Sequence, residues 1–537
     1  MFNTTFLDND PYSCRTVGQT VVVGNSSFVP GTTTVTQPCP AGNQNPSINC
    51  VYTCTQDDLL TADLNKFIAK TVVATIESVI ENLIIMPTTA SPDVLQLSAK
   101  YAQAAKGQCI YGINIPQSYI SPGISNIDTL IWVTVRPVAV PTSTVAYALP
   151  CNLNYVTPST FSRPLAGVIN FNPRFYNQLL NSANPLSFKE YVMVGLHEMI
   201  HALGFTSSLF DSYIDQSTGD TYANGAAMAV TRTGRTPLGR SYSYQKYAVT
   251  TPNVVSFVQS HYKCAAAEYA ELEDYGGSGT ANSHWEKRTA GEELMIGFVN
   301  PIAPVSNLTL SLLQDTGWYQ INKSNADTFI WGKNLGCDWL NQCSIDTWNY
   351  QGYFCLGDER PGCTPTRMGK GMCSVQTYSQ SLPTPYQHFN ASNEGGFDQI
   401  SDFCPYNIIF DNVNSNYYCV DQANSKKGDS SVFEFFGTDS RCFEYTKGGS
   451  DNIACWQQRC KGTNVEVNIG GQWVLCSSPG ATVSINGLTL VCPQGFAECG
   501  GAMQKVQVEP SSSISIHANF NHMIVGTTIL LLLAVLI

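Results

Sequence analysis

The stretch His197-Glu198-Met199-Ile200-His201 constrains this 537-residue chain more than any other. On a helix, residues four apart lie one above the other on one face, so two imidazoles at 197 and 201 can share one small cation. Glu198 stands one step round from His197, where a carboxylate reaches a cation-bound water without becoming a ligand. This is the H-E-x-x-H zinc arrangement. Local signals agree on a helix. Ser187 followed by Glu190 reads as a capping box, the run from Phe188 to Leu203 holds no proline and one glycine, and Gly204 follows as a stop. A five-residue pattern also arises by chance in a long chain, so the neighbourhood has to decide.

Gly204 continues the longer pattern H-E-x-x-H-x-x-G-x-x-H, but Ser207 holds the place of its third histidine. Catalytic zinc takes three protein ligands and keeps a fourth position for water, so a donor must come from elsewhere. The chain has seven histidines, at 197, 201, 261, 284, 388, 517 and 522. His284 is the best candidate. It follows the glycine-rich approach Gly276-Gly277-Ser278-Gly279 and precedes Glu292-Glu293-Leu294-Met295. His261 is the competitor and lacks that context.

Together these segments resemble the leishmanolysin-type surface metalloproteases of the metzincin clan. In that family an insertion displaces the third zinc histidine, and a Met-turn follows in a Glu-Leu-Met context. The matching stretches are His197–Phe205, Glu271–Gly279 with Ser283-His284, and Glu293-Leu294-Met295; Tyr12–Gln19 and Cys54–Leu60 resemble the start of the mature catalytic part. The resemblance implies one Zn2+ per chain on His197, His201 and His284, Glu198 as catalytic base, and Met295 as the Met-turn residue. It further implies an α+β fold, with a metzincin-like catalytic module, an inserted second domain and a disulfide-rich, mostly β C-terminal domain. The implied activity is hydrolysis of peptide bonds in protein substrates by a metal-activated water.

Composition narrows the setting. Charged residues make up 13% of the chain, below the roughly 25% usual for soluble domains. The net charge of −12 offers no basic stripe, which excludes nucleic acid as the expected partner. Twenty cysteines without paired Cys-x-x-Cys spacings point to disulfides made in an oxidising compartment. Sequons at Asn3, Asn25, Asn307, Asn322 and Asn390 agree with the secretory route. The first residues show neither a basic n-region nor an apolar h-region, so a signal and an inhibitory pro-segment are expected to belong upstream.

Along the chain, Leu59 to Leu83 has helical apolar spacing, while 130–137 and 166–171 read as strands just before the zinc helix. Periodicity leaves open which strand forms the edge along which a substrate would lie. The polar stretch from 207 to 283 is expected to fold within a second domain that returns His284 to the zinc, and Pro301 to Tyr319 reads as a helix beneath the Met-turn. Thirteen of the 20 cysteines lie between Cys337 and Cys499, and His388 among them reads as structural. The expected division is 1–206, 207–338, 339–510 and a terminal signal at 511–537. There Ser511, Ser512 and Ser513 offer small attachment residues, followed by a polar spacer and the apolar run Met523 to Ile537, the layout of a GPI signal. A tail anchor is the alternative, although a spanning helix needs about 20 residues. Two function classes follow, a cell-surface endopeptidase and an adhesion or receptor protein that keeps a protease scaffold. An intact Glu198 favours the first.

Overall fold

Strands that are apolar at nearly every residue are at home in a sheet covered on both faces. Leu130–Thr134 and Pro164–Phe171 are buried at every position and sit at the centre of a four-stranded sheet. The computed structural model describes residues 1–500 apart from 25–27, 29, 32–33, 41–48, 88–93, 99–108, 139–143, 154–162, 181, 183, 278, 299, 301, 342, 344–351, 356, 358–360, 410, 413–414 and 417. The sheet's strands are β1 (Phe2–Asn3), β2 (Leu130–Thr134), β3 (Ala146–Leu153) and β4 (Pro164–Phe171), in the order β1-β2-β4-β3. β2 runs parallel to β1 and β4, whereas β3 runs antiparallel to β4 and forms an edge. Alternate residues divide between two cores. Ile131, Val133, Ile169 and Phe171 join the main core with Ile76, Leu196 and Ile200; Leu130, Trp132, Ala166 and Val168 join a second with Leu95, Ile110 and Tyr111.

The helix expected over 59–83 runs through α1 (Ala62–Phe67), a π turn at Ile68–Val72, and α2 (Val73–Leu83). Thr61 starts it, its hydroxyl accepting from the Leu64 N–H at 3.1 Å. The π turn shifts the buried stripe by one residue, from Ile68 and Val72 to Val73 and Ile76. α3 (Pro185–Leu203) carries the H-E-x-x-H sequence and packs across β3, β4 and α2. It begins about one turn before the expected Ser187 cap. Asn184 is the cap instead, its side-chain oxygen accepting from the Leu186 N–H at 2.9 Å, with Pro185 in the first turn, where a missing N–H costs nothing. Gly195 lets α2 come close, since a Cβ there would stand 2.4 Å from Ile76 Cδ1. Gly204 ends the helix as expected.

After α3 the polar stretch folds into a nine-pair antiparallel hairpin of β5 (Ala227–Arg235) and β6 (Ser241–Val249), then α4 (Pro252–Tyr262). The helix expected over 301–319 is shorter, α5 (Asn307–Asp315). Pro304 cannot sit in a helix interior, and Gly317 at φ +75° closes the other end. Ser306 caps it, accepting from the Leu308 N–H at 3.1 Å.

Towards the C-terminus, six strands form one antiparallel sheet. They are β7 (Ser440–Lys447), β8 (Ser450–Lys461), β9 (Asn464–Ile469), β10 (Gln472–Cys476), β11 (Thr482–Ile485) and β12 (Leu488–Val491), in the order β10-β9-β8-β7-β12-β11. All twenty cysteines are paired. Six bridges, from Cys343–Cys404 to Cys476–Cys492, join residues of this cysteine-rich region only to one another. Each removes freedom from the unfolded chain and so compensates for the small apolar cores here. Among the described residues no helix is long and apolar enough to cross a membrane. Ser511, Ser512, Ser513 and the rest of 511–537 lie outside the described residues.

Candidate metal centre

His197 and His201 occupy the last turns of α3, and His284 reaches them from the far side; all three are buried. Their Nε2 atoms converge, with separations of 2.9 Å (197 to 201), 3.1 Å (197 to 284) and 3.2 Å (201 to 284). Each Nδ1 faces a backbone carbonyl, Leu294 O at 2.7 Å for His197, Phe205 O at 2.6 Å for His201 and Thr280 O at 2.8 Å for His284. A carbonyl only accepts, so every Nδ1 must carry the proton. Every Nε2 is then a bare lone pair, and three lone pairs cannot satisfy one another. A cation resolves the conflict, and nitrogen donors at about 2.0–2.1 Å around a tetrahedral ion stand about 3.3 Å apart, close to the separations found. The residues present therefore fit a metal.

His284 owes its position to short cross-strand ties. Its carbonyl accepts from the Glu273 N–H at 3.0 Å, and the next residue, Trp285, donates its N–H to Met295 O at 2.9 Å. The approach to it turns through Gly276 (φ +86°) and Gly277 (φ +80°), conformations that suit glycine. Met295 is fully buried on the turn that supplies the Leu294 carbonyl. Glu293 fixes that turn, its carboxylate accepting from the Met295 and Ser306 N–H groups and from the Ser306 and Thr309 hydroxyls.

Glu198 is buried completely, with Oε2 accepting from the Ala148 N–H of edge strand β3 at 2.9 Å and Oε1 without a protein partner. His261 lies apart from the triad, stacked between Phe257 and Phe329 with Nε2 on Trp331 O at 2.8 Å. His388 likewise bonds a backbone carbonyl, Asp402 O at 2.6 Å.

The leishmanolysin family model, peptidase family M8, matches residues 37–507. This chain belongs to the leishmanolysin family of metallopeptidases. It is 28% identical over 533 residues to a leishmanolysin homolog of Crithidia fasciculata, covering 92% of this chain and 69% of that protein. Against a leishmanolysin-like peptidase of Drosophila melanogaster it is 28% identical over 462 residues, covering 72% of this chain and 66% of the relative. Against leishmanolysin of Leishmania major it is 26% identical over 535 residues, covering 93% and 80%.

Burial sets the protonation of the centre in this leishmanolysin-family chain. Desolvation lowers His197 to about 4 despite its bond to Leu294 O, and lowers His284 to about 3 with help from the neighbouring His197. His201 is held well below its ordinary value by burial and by both neighbouring imidazoles. Glu198 is pushed well above the carboxylate range by burial, which its bond from Ala148 only partly offsets. All three imidazoles are therefore neutral and ready to bind at neutral pH.

A pH prediction follows. Protons compete for these nitrogens only below their folded-state values of about 4 and about 3. Metal affinity should stay nearly flat from about pH 7 to about pH 5 and fall steeply below about 4. Three ordinary histidines, titrating near 6.5, would instead lose affinity from about pH 6.5 downward. Metal retention after dialysis across this range checks it, and loss beginning near pH 6.5 would contradict it.

Sequence reasoning did not find the groups that orient the centre. The Ala148 N–H and the Leu294, Phe205 and Thr280 carbonyls are backbone atoms, which carry no residue-type signal. A small hollow beside His197, lined by Met193, Val194, Ile296, Phe298 and Ala303, was legible only in its helical part, because Met193 and Val194 stand one turn before His197.

Proposed function

We propose that this chain is a zinc-dependent endopeptidase of metzincin type, with His197, His201 and His284 as the zinc ligands and Glu198 as general base. The observation that carries the reading is the convergence of three buried, unprotonated Nε2 atoms beside a carboxylate with one unpartnered oxygen. Zinc suits a three-nitrogen donor set that leaves one position open, and there it supplies Lewis-acid chemistry, acidifying water and polarising a carbonyl. Burial raises Glu198, so it acts as base only in the carboxylate form that a cation held by the three histidines would stabilise. In that form it takes the proton of the attacking water on Oε1 and returns it to the leaving amine. The Ala148 N–H holds the other oxygen so that the carboxylate does not swing away. Among the described residues β3 is an edge of its sheet, so an extended peptide laid along it would gain backbone hydrogen bonds beyond Ala148, whose N–H is given to Glu198. Met295 serves as the Met-turn residue beneath the histidines.

The same proposal includes the division into 1–206, 207–338 and 339–510, and surface display through a GPI signal at 511–537 with attachment among Ser511, Ser512 and Ser513. One experiment tests the activity and the anchor together. Intact cells expressing the protein should hydrolyse casein in a chelator-sensitive, zinc-restored manner, and a phosphatidylinositol-specific phospholipase should release that activity. Zinc-loaded protein that cleaves nothing would move the reading to an adhesion protein on a retained scaffold. Activity that stays with the cells would leave the enzyme and remove the lipid anchor.

A further inference from the structure

The densest buried charge outside the histidine centre lies between the β5–β6 hairpin, the 271–288 segment and the cysteine-rich region. Three cationic side chains meet four carboxylates there. Glu271 pairs with Arg232 at 2.9 Å and Arg288 at 2.6 Å, and Asp402 pairs with Arg288 at 3.0 Å and Lys246 at 3.2 Å. Lys246 also reaches Asp274 at 3.3 Å and Glu286. A fifth carboxylate, Glu273, is fully buried beside them and has no cationic partner among the described residues. Its Oε1 accepts from the Tyr275 N–H at 2.9 Å, and its Oε2 has no partner at all. If all five acids ionise, three bases leave two negative charges unmatched in a largely buried cluster. Buried charge is tolerated only when it is matched.

Geometry says where the matching charge fits. Oxygens of Glu273, Asp274 and Glu286 lie within 4.8 Å of one another. Oxygen ligands at 2.3–2.6 Å from one calcium-sized ion span up to about 5 Å. Of these three acids Lys246 bonds Asp274 and Glu286, and it supplies one of the three positive charges already counted. The Asp274 side chain is 24% exposed, which gives an ion a way in, and its Oδ2 also accepts from the Tyr386 hydroxyl at 3.0 Å. Glu286 Oε1 accepts from the Arg288 N–H at 2.9 Å, which leaves further lone pairs free.

We propose that Glu273, Asp274 and Glu286 form a second metal site, for a divalent oxygen-seeking cation of the calcium type. One such ion brings the five carboxylates and three bases to neutrality. An all-carboxylate donor set with an irregular approach suits calcium, which accepts six to eight oxygens, water included, more readily than magnesium, which demands a regular octahedron. The site sits directly behind the histidine centre, since the Glu273 N–H holds the His284 carbonyl at 3.0 Å. A bound ion therefore braces the loop that presents His284.

The test uses purified full-length protein and two probes, Tb3+ and Ca2+. Terbium should luminesce on excitation of tyrosine, because the Tyr386 hydroxyl already touches Asp274. Calcium should displace it and raise Tm. Glu273→Gln and Asp274→Asn should each weaken calcium affinity by about tenfold or more, through loss of ligand charge. Both should leave the transition-metal content of the histidine centre intact, which separates this site from the other. Glu273→Gln removes an unmatched buried charge, so it is expected to fold without calcium. Wild-type protein that shows no tyrosine-sensitised terbium signal and no calcium-dependent Tm would overturn the proposal, as would calcium affinity in both variants equal to that of wild type. In that case protonated carboxylates, not a cation, account for the surplus.

Discussion

Glu198→Gln is expected to keep its metal and to lose turnover by about 10²–10⁴-fold, the usual worth of a positioned general base. At roughly 1.36 kcal/mol per decade this is about 3–5 kcal/mol of transition-state stabilisation. The geometry separates the two effects. Glutamine has the same shape, and its amide oxygen can still accept from the Ala148 N–H that now holds Oε2 at 2.9 Å. Its nitrogen cannot accept the proton that the unpartnered Oε1 is free to take. None of the three histidines is touched, so metal content should be that of wild type. Stability should not fall either, because the change replaces a buried ionisable group, already pushed well above its ordinary pKa, with a neutral one. Casein hydrolysis, metal analysis and thermal unfolding on the same preparation give the three readouts. A near wild-type rate would remove Glu198 from the mechanism, whereas a lost metal or a lowered Tm would mean that the side chain supports the site and does not act in it.

What could be read from sequence was whatever side chains carry. The turn-spaced histidines, Gly204 as a stop and the glycine-rich approach to His284 are residue types with few alternative uses, and the structure brings those three histidines together. A census of seven histidines left few competitors, and the missing glycine-rich approach and Met-turn context set aside His261, which the structure shows stacked on two phenylalanines. Less legible were choices between neighbouring local signals. Ser187 with Glu190 made a plausible cap, yet Asn184 before Pro185 wins because it adds a turn and places the proline where its missing N–H costs nothing. The hairpin at 227–249 escaped notice because its strands are polar and half exposed, so no apolar alternation marks them, although Ser241-Tyr242-Ser243-Tyr244 is a period-two pattern. Disulfide pairing such as Cys363 with Cys442, 79 residues apart, depends on a fold that no local rule supplies.

His284→Ala should abolish stoichiometric metal binding and, with it, chelator-sensitive hydrolysis. Two histidines on one helix turn leave a small cation with half of a tetrahedral shell, and catalytic sites of this kind use three protein donors. The thermodynamic signature is more specific than the loss of activity. The three Nε2 atoms stand 2.9–3.2 Å apart, so with no cation between them their lone pairs repel and removing one should cost little. The backbone there stays tied through Glu273 N–H to His284 O and Trp285 N–H to Met295 O, neither of which needs the imidazole. With metal in excess, wild type gains stability by linkage, about 2.7 kcal/mol at a hundred times Kd, and the variant gains none. The two proteins should therefore unfold alike without metal and differ with it. His261→Ala is the matched control, because it removes an aromatic stacking partner and should lower Tm with or without metal while metal content stays whole. The opposite pattern, a folded His261→Ala protein without metal beside a His284→Ala protein that keeps it, would transfer the third donor to His261 and dismantle the geometric argument for the centre.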